Sequence, residues 1–183
     1  MKGLLKFSNV TLRRGGNLLF EQLEFELGPG ERLQVTGPNG SGKSSLIRLA
    51  AGLLRAERGQ VEAAELALAD DHVALDRELL LRHALGFWGG SVGQAMVALQ
   101  IDHLAEVPVR LLSSGQVKRA TLARVAASRA PLWLLDEPLN ALDTDGRKRL
   151  GELVERHLDE GGAVLAASHQ PLGGEWPKLE LKR

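Results

Sequence analysis

One stretch of the chain reads GPNGSGKS, a full match to the pattern G-x-x-x-x-G-K-[ST] of phosphate-binding loops. Its glycines, Gly37, Gly40 and Gly42, allow the backbone to curl so that successive N–H groups point at a polyphosphate. Lys43 can reach the terminal phosphates, and the hydroxyl of Ser44 can ligate Mg²⁺. The pattern therefore predicts a site for a nucleoside triphosphate. The residues assigned to it are Gly37, Pro38, Asn39, Gly40, Ser41, Gly42, Lys43, Ser44 and Ser45.

A pair of carboxylates follows an apolar run in the sequence LWLLDEP at residues 132–138. Four apolar residues that end in two acids are typical of a central strand, and ligands of open α/β sheets bind at that edge. We expect Asp136 to hold Mg²⁺ and Glu137 to act as general base toward the attacking water. The two acids could also simply terminate a strand, but a phosphate loop in the same chain favours the catalytic interpretation.

A third candidate is the sequence LSSGQ at residues 112–116. Ser113, Ser114, Gly115 and Gln116 open a predicted helix, whose N-terminus can bind an anion. Serine begins many helices for structural reasons alone, so this motif gains meaning only from its place among the others.

The elements that must position these residues alternate between short apolar strands and helices, which indicates a parallel sheet covered by helices. The predicted strand regions are 4–36, 60–70, 132–136 and 163–168. The predicted helical regions are 45–54, 76–104, the stretch after Ser113, and 144–159. In the helix after Ser113, an apolar face would hold Val117, Ala120, Leu122 and Val125. The long helical region reads as a lobe inserted into the sheet domain.

Composition sets limits on the function. Lysine plus arginine equals aspartate plus glutamate at 23 each, so bulk charge does not favour nucleic acid or anionic lipid. The chain has no cysteine, which excludes disulfides and thiolate metal sites. We find no signal-peptide core and no apolar run near the roughly 20 residues that cross a bilayer. Only 14 residues follow His169, so we expect no regulatory domain there.

In chain order, these motifs resemble those of the ABC ATPase family: GPNGSGKS, LSSGQ, LLDEP, NALD at 140–143, and His169 after an apolar strand. The resemblance covers nearly the whole chain. It implies an α/β fold of the P-loop NTPase type, with a mixed or parallel sheet core, a small antiparallel β subdomain and an inserted helical lobe. It implies one domain over 1–183, in which 1–75 and 131–183 form the RecA-like core plus β subdomain and about 76–130 form the lobe.

The resemblance also implies roles for single residues. Asp136 looks like the Walker B aspartate, Glu137 like the catalytic glutamate, and His169 like the switch histidine that contacts the γ-phosphate. The family sandwiches ATP between two such domains, so Ser113 and Gly115 of the signature (113–116) would act on ATP held by a second copy. Leu142 and Asp143 look like part of the D-loop (140–143), and Asp143 is a further candidate for nucleotide binding. The implied cofactors are ATP and Mg²⁺, and the implied closed state is a homodimer.

Some positions depart from the family pattern. Arg13 or Arg14 stands where an aromatic that stacks on adenine is expected, and we take Arg14 as the candidate because a guanidinium can also stack on a base. His72 stands where a glutamine joins the sheet to the lobe. Ser114 replaces a glycine of the signature, and Asn140 begins the D-loop.

Three short sequence segments indicate a particular subgroup of this family. FW at 87–88, APLWLLDEPLNALD at 130–143 and SHQPL at 168–172 resemble the ATP-binding subunits of cytochrome c maturation, or heme export, systems. That resemblance implies a peripheral protein on the cytoplasmic face of the bacterial inner membrane, with a multispanning membrane subunit as partner, no insertion into the membrane and no nucleic acid. Two alternatives stay open. One is the ATPase of another compact exporter or importer; the other is a soluble ABC ATPase of ribosomes or DNA, which zero net charge disfavours.

The family resemblance also implies that the segment 73–90 forms the docking surface for the membrane subunit. It holds more apolar side chains than one helix face would hide in a small lobe, and the alternative is that all of them pack internally. These side chains are Leu79, Leu80, Leu81, Leu85, Phe87 and Trp88.

Overall fold

A computed structural model of the chain describes residues 3–70 and 75–182. Its strands are β1 (Leu5–Arg14), β2 (Asn17–Leu27), β3 (Arg32–Thr36), β4 (Arg58–Ala63), β5 (Leu66–Ala69), β6 (Leu132–Asp136), β7 (Ala163–Ala167) and β8 (Lys178–Glu180). Its α-helices are α1 (Lys43–Ala50), α2 (Leu81–Gly86), α3 (Val92–Ala98), α4 (Ser114–Ala127) and α5 (Thr144–Asp159). Single turns of 3₁₀ helix lie at Asp102–Leu104 and Val109–Leu111.

The larger sheet is parallel, with the strand order β5-β6-β7-β3-β8. Strands β6 and β7 are buried along their whole length, which explains why both read as continuous apolar runs. Alternate side chains of β6 enter different cores: Leu132 and Leu134 pack with α1 and β1, whereas Trp133 and Leu135 pack with α4 and α5. The sheet thus places the C-terminal ends of β3, β6 and β7 side by side.

The smaller sheet is antiparallel, with the order β2-β1-β4. Gly15 and Gly16 join β1 to β2 with φ of 56° and 81°, the backbone that a tight two-residue hairpin requires. The hairpin pairs Arg14 with Asn17 beside the phosphate loop. The predicted fold class is confirmed: a parallel sheet, a small antiparallel sheet and a helical insertion.

The predicted helical region over 76–104 is interrupted between two short helices. Only α2, α3 and a 3₁₀ turn are helical there. Gly89 and Gly90, at φ of 74° and 80°, end the first helix and redirect the chain. Gly90 lies so close to the carbonyl of Ala127 on α4 that no side chain would fit.

Helix α4 is buried on more sides than one apolar face allows. Ala120, Leu122 and Val125 are buried as predicted, but Thr121 and Arg124 between them are buried too. The reason is that α4 packs against α2, α3, α5 and strand β5 together. The predicted helix is therefore present as α4, and its buried surface extends beyond the four apolar residues named from the sequence.

Other expectations about organisation concern helix length and domain division. The predicted helix 45–54 is α1, which ends at Ala50, and Gly52 at φ 71° follows it. Among the described residues, no helix has the length and apolar character needed to cross a membrane. The boundaries at residues 75 and 131 stay predictions.

Candidate nucleotide-binding site

The phosphate loop joins β3 to α1, and glycine determines its shape. Gly37, Gly40 and Gly42 have φ of 141°, 80° and 102°, values that other residues rarely adopt. A Cβ on Gly37 would also lie 2.7 Å from Ser41 Oγ. Helix α1 begins at Lys43, directly after the loop, so its positive end lies at this site.

Lys43 lies inside the loop. Its ammonium donates hydrogen bonds to the carbonyls of Gly37 at 2.9 Å and Pro38 at 3.3 Å, and the side chain is buried. Ser41 Oγ is buried as well and has no hydrogen-bond partner among the described residues. A buried cation beside a buried unpaired hydroxyl is an arrangement that an anion would complete.

Ser44 and Asp136 bring two hard oxygen atoms together below the loop. Ser44 Oγ donates a hydrogen bond to Asp136 Oδ1 at 3.1 Å, which links the start of α1 to the end of β6. Burial raises the pKa of Asp136, and the charge of Glu137 raises it further, while the Ser44 hydrogen bond and Arg48 oppose this. A cation placed between these oxygens would relieve the cost of the buried carboxylate.

Glu137 and His169 form a direct pair. His169 Nδ1 lies 2.9 Å from Glu137 Oε2 because strands β6 and β7, which precede the two residues, are neighbours in the sheet. Glu137 has φ of 44°, a left-handed backbone that glutamate seldom adopts, and its N–H donates to Ala167 O at 2.8 Å. Strained backbone of this kind clusters at functional sites. Sequence reasoning named both residues but not their contact.

The residues that fix His169 were missed by sequence reasoning. Gln34 Nε2 donates to the carbonyls of Ser168 at 3.2 Å and Gln170 at 2.8 Å. Gln170 Nε2 lies 3.3 Å from His169 Nε2. The available signal was Gln34 itself, a polar residue in the middle of the buried strand β3.

The loop opens into a cavity of about 810 Å³ that reaches the tip of the β1–β2 hairpin. Its lining includes phosphate-loop residues, Glu137, and Arg14, Asn17, Leu18 and Leu19 of the hairpin. Arg14 Nη1 lies 3.5 Å from Ser45 Oγ. Arg14 is thus placed beside the start of α1, and sequence reasoning did not identify Asn17, Leu18 or Leu19.

The signature lies apart from that cavity. Ser113 and Gln116 satisfy each other in a capping box: Gln116 N donates to Ser113 Oγ at 3.3 Å, and Ser113 N donates to Gln116 Oε1 at 2.8 Å. A separate cavity of about 370 Å³ is lined by Ser113, Gly115 and Gln116 together with Ala141 and Asp143. We call these five residues the signature face. Ser114, the first residue of α4, lines a third cavity.

Asp143 caps helix α5 within this face. Its Oδ1 accepts a hydrogen bond from Gly146 N at 2.8 Å and pairs with Arg119 Nη2 at 2.6 Å. Gly146 and then Arg119 lower the pKa of Asp143. Ala141 has φ of 62°, and a Cβ on Gly115 would lie 2.9 Å from its carbonyl. The D-loop and the signature therefore touch directly.

The predicted docking segment divides into buried and exposed side chains. Leu81 and Leu85 are buried and Leu80 is half-buried, whereas Leu79 is 40%, Phe87 82% and Trp88 48% exposed. The alternative of complete internal packing is therefore wrong for three of the six. His72 lies outside the described residues.

The fold and this site define a P-loop nucleotide-binding domain, and comparison with known proteins identifies its family. The family model described as "ABC transporter" matches residues 20–140. The chain is 51% identical over 171 residues to the cytochrome c biogenesis ATP-binding export protein CcmA of Novosphingobium aromaticivorans, covering 92% of this chain and 90% of that protein. It is 50% identical over 177 residues to the protein of the same name from Sphingopyxis alaskensis, covering 92% and 91%.

A solved structure agrees on the fold. The ATP-binding subunit of an ABC transporter superposes with a TM-score of 0.83 at 20% identity, covering 91% of this chain and 79% of that one. The chain belongs to the ABC transporter family and, within it, to the family of these cytochrome c biogenesis ATP-binding export proteins. It is an ATP-binding, ATP-hydrolysing transport subunit.

Proposed function

We propose that this chain binds and hydrolyses ATP to support cytochrome c maturation, through a transporter that exports or delivers heme. The observation that carries the proposal is that Lys43, Ser44 and Glu137 line one cavity, while Asp136 accepts a hydrogen bond from Ser44 and His169 contacts Glu137. The named relatives, about half identical over nine-tenths of the chain, support the cytochrome c assignment.

The phosphate loop would bind the triphosphate and orient it. Lys43 would exchange its two carbonyl contacts for the terminal phosphates, and Ser41 Oγ would gain a hydrogen bond. Helix α1 adds its N-terminal charge. The base would lie at the hairpin end, against Arg14.

Mg²⁺ fits the residues present. Ser44 Oγ and Asp136 Oδ1 supply hard oxygen ligands, directly or through water, and phosphates and water would supply the rest. No cluster of three or more metal-binding side chains occurs among the described residues, which suits a metal that arrives with its nucleotide. When bound, the ion would offset the charge of the phosphates.

Glu137 would accept the proton of the attacking water. His169 holds the Glu137 carboxylate at 2.9 Å, so it orients the base in this state. On closure, His169 would turn toward the γ-phosphate, and Glu137 would be left to the water. The left-handed backbone conformation of Glu137 determines the direction in which its side chain leaves the main chain.

A second copy would complete the site. The signature face lines its own cavity and not the nucleotide cavity, so it does not meet this chain's phosphate loop there. A symmetric dimer would place each signature face over the other copy's nucleotide, and ATP would hold the two copies together.

The chain would act through a multispanning membrane subunit on the cytoplasmic face of the inner membrane. The exposed side chains of Leu79, Phe87 and Trp88 supply an apolar surface for that partner. The equal numbers of acidic and basic residues do not favour nucleic acid as a partner.

The test is complementation in a bacterial host that lacks its own copy of the gene. The wild-type chain should restore heme-stained c-type cytochromes, and Lys43→Ala should not, because it removes the buried cation of the loop. Lys148→Ala, which removes an exposed lysine on α5, is the matched control and should restore them.

ATP binding of the same variants, measured by calorimetry, separates the two parts of the proposal. If Lys43→Ala loses ATP binding but the cytochromes mature without the chain, the nucleotide site stands and the transport role is wrong. If Lys43→Ala binds ATP like the wild type, the site itself is wrong.

A further inference from the structure

Arg119 on α4 holds three segments of the chain together. Its guanidinium donates to Leu99 O at 2.9 Å, pairs with Asp143 Oδ1 at 2.6 Å, and lies 3.5 Å from Asp145 Oδ2. The side chain is 12% exposed. Leu99, which is fully buried after α3, anchors it. A planar guanidinium can satisfy these directions at once, which the point charge of a lysine cannot.

The segments it joins are the ones that make the signature face. Arg119 lies one turn of α4 after Gly115 and grips Asp143 at the end of the D-loop. Between them, Gly115 rests against the carbonyl of Ala141. An added Cβ at Gly146 would lie 2.9 Å from Asp143 Oδ1 and 3.3 Å from Arg119 Nε, so a side chain there would crowd this pair.

The contacts of Arg119 also reduce the negative charge at the signature face. Asp143 and Asp145 would repel the phosphates of any nucleotide that approached it. Arg119 pairs with both carboxylates, and Gly146 N–H also binds Asp143, which keeps its pKa low and its geometry fixed. The guanidinium of Arg119 therefore offsets the charge of Asp143, the one of these two carboxylates that lines the signature face.

We propose that Arg119 is a positioning residue. It holds the signature and the D-loop together as one face, and that face contacts the nucleotide bound by the second copy. The inference rests on the proposed function, because it needs an ATP-bound dimer. Its distinctive consequence is that damage at Arg119 affects the partner's site and leaves the chain's own phosphate loop intact.

Arg149 offers a matched control. It also pairs with Asp145, at 2.7 Å, and lies near a carbonyl of the α3 region, Ala98 O at 3.4 Å. It makes no described contact with Asp143 or the signature. Loss of Arg149 should therefore cost some stability and leave the signature face in place.

The experiment uses two differently tagged full-length copies, co-expressed and purified through both tags with the membrane subunit. Complexes with Arg119→Gln in both copies should hydrolyse ATP at least about tenfold more slowly than wild type. ATP affinity of the single chain should stay within about twofold. Arg149→Gln in both copies should change turnover by less than about twofold.

Mixing variants gives the decisive result. A complex of one Arg119→Gln chain and one Lys43→Ala chain keeps one intact site, formed by the phosphate loop of the first and the signature face of the second. It should recover about half of the wild-type turnover, since one of two symmetric sites survives. A complex of Lys43→Ala with Glu137→Gln has no intact site and should stay inactive.

If the Arg119 and Lys43 mixture is as inactive as either variant alone, Arg119 serves its own site or its own fold, and the proposal is overturned. Arg119→Lys in the same mixture repeats the test should the glutamine variant fail to fold. Full turnover with Lys43→Ala in both copies would instead overturn the proposed function.

Discussion

Two aspartates show how differently the two ends of this nucleotide machinery are built. Asp136, at the tip of β6, is buried, and its pKa is raised by that burial. Asp143, in the signature face, is exposed, and its pKa is lowered by Gly146 N–H and Arg119. Among the described residues, Asp136 has no cationic hydrogen-bond partner, whereas Asp143 pairs with Arg119.

The same contrast extends to the neighbouring residues. At the phosphate loop, Ser41 Oγ is buried without a described partner, and the hydrogen bonds described for Lys43 go to two backbone carbonyls. In the signature face, Ser113 and Gln116 cap each other. A ligand would therefore supply hydrogen-bond partners that the phosphate-loop end lacks among the described residues. In the signature face, Ser113, Gln116 and Asp143 already have partners within the chain. A buried polar group without a hydrogen-bond partner lowers the stability of the fold, so such groups are expected mainly where a ligand will bind.

The largest expected effect comes from the phosphate-loop end. Glu137→Gln keeps the size and a hydrogen-bonding oxygen but removes the base, so turnover should fall about 10²-fold or more while ATP still binds. An ATP-bound dimer should accumulate, visible by size-exclusion chromatography with ATP. Full activity in this variant would transfer the role of base to another residue, with His169 examined first.

A surface outside both regions should separate nucleotide binding from coupling. Phe87→Glu places a charge on the exposed apolar patch, so binding to the membrane subunit should weaken at least about tenfold, as at an interface hot spot. ATP affinity should not change. Leu53→Glu, at another exposed leucine outside the docking segment, is the control and should leave co-purification intact. Equal binding by the wild type and Phe87→Glu would place the docking surface elsewhere.

A smaller effect is expected at the signature face. Gly115→Ala adds a Cβ that would lie 2.9 Å from Ala141 O, so the D-loop must shift. Turnover should fall about tenfold while ATP binding to the single chain stays unchanged, because the phosphate loop is elsewhere. Gly151→Ala on α5 meets no atom within 4 Å and serves as the control for helix substitution. A loss of ATP affinity in Gly115→Ala would show that the signature face contributes to nucleotide binding by its own chain, which contradicts the separation of the two regions.

The smallest effects concern stability, and they should have opposite signs. Because burial raises the pKa of Asp136, the stability that this carboxyl contributes to the nucleotide-free fold is fully present below the unfolded-state pKa and is lost as pH rises through the folded-state pKa. Asp136→Asn should therefore raise the Tm at pH 7 by a few degrees.

Asp143 shows the reverse. Its lowered pKa contributes stability above the unfolded value, and this is lost as pH falls through the folded pKa. Asp143→Asn should lower the Tm at pH 7 and make little difference in strong acid. Scanning calorimetry of both variants from neutral to acid pH tests the pair; shifts of the same sign would remove the contrast between the two carboxylates.

Much of the fold followed from local patterns. The apolar runs of β6 and β7 and the loop between β3 and α1 are short-range features, and all were placed correctly. The turn between α2 and α3 was not identified, and it depends on the close contact of Gly90 with the Ala127 carbonyl of α4. That contact joins residues far apart in the sequence, which periodicity does not register.

The sequence by itself determined the chemistry: a phosphate loop, two acids after a buried strand, and a histidine after the next one. These are properties of residue type and order within a few positions. Only the tertiary structure decided that His169 meets Glu137 and that Arg119 ties the signature to the D-loop. It also decided that Phe87 and Trp88 are exposed while Leu81 and Leu85 are buried. Each of these depends on which elements lie side by side, and that is settled by the packing of the whole chain.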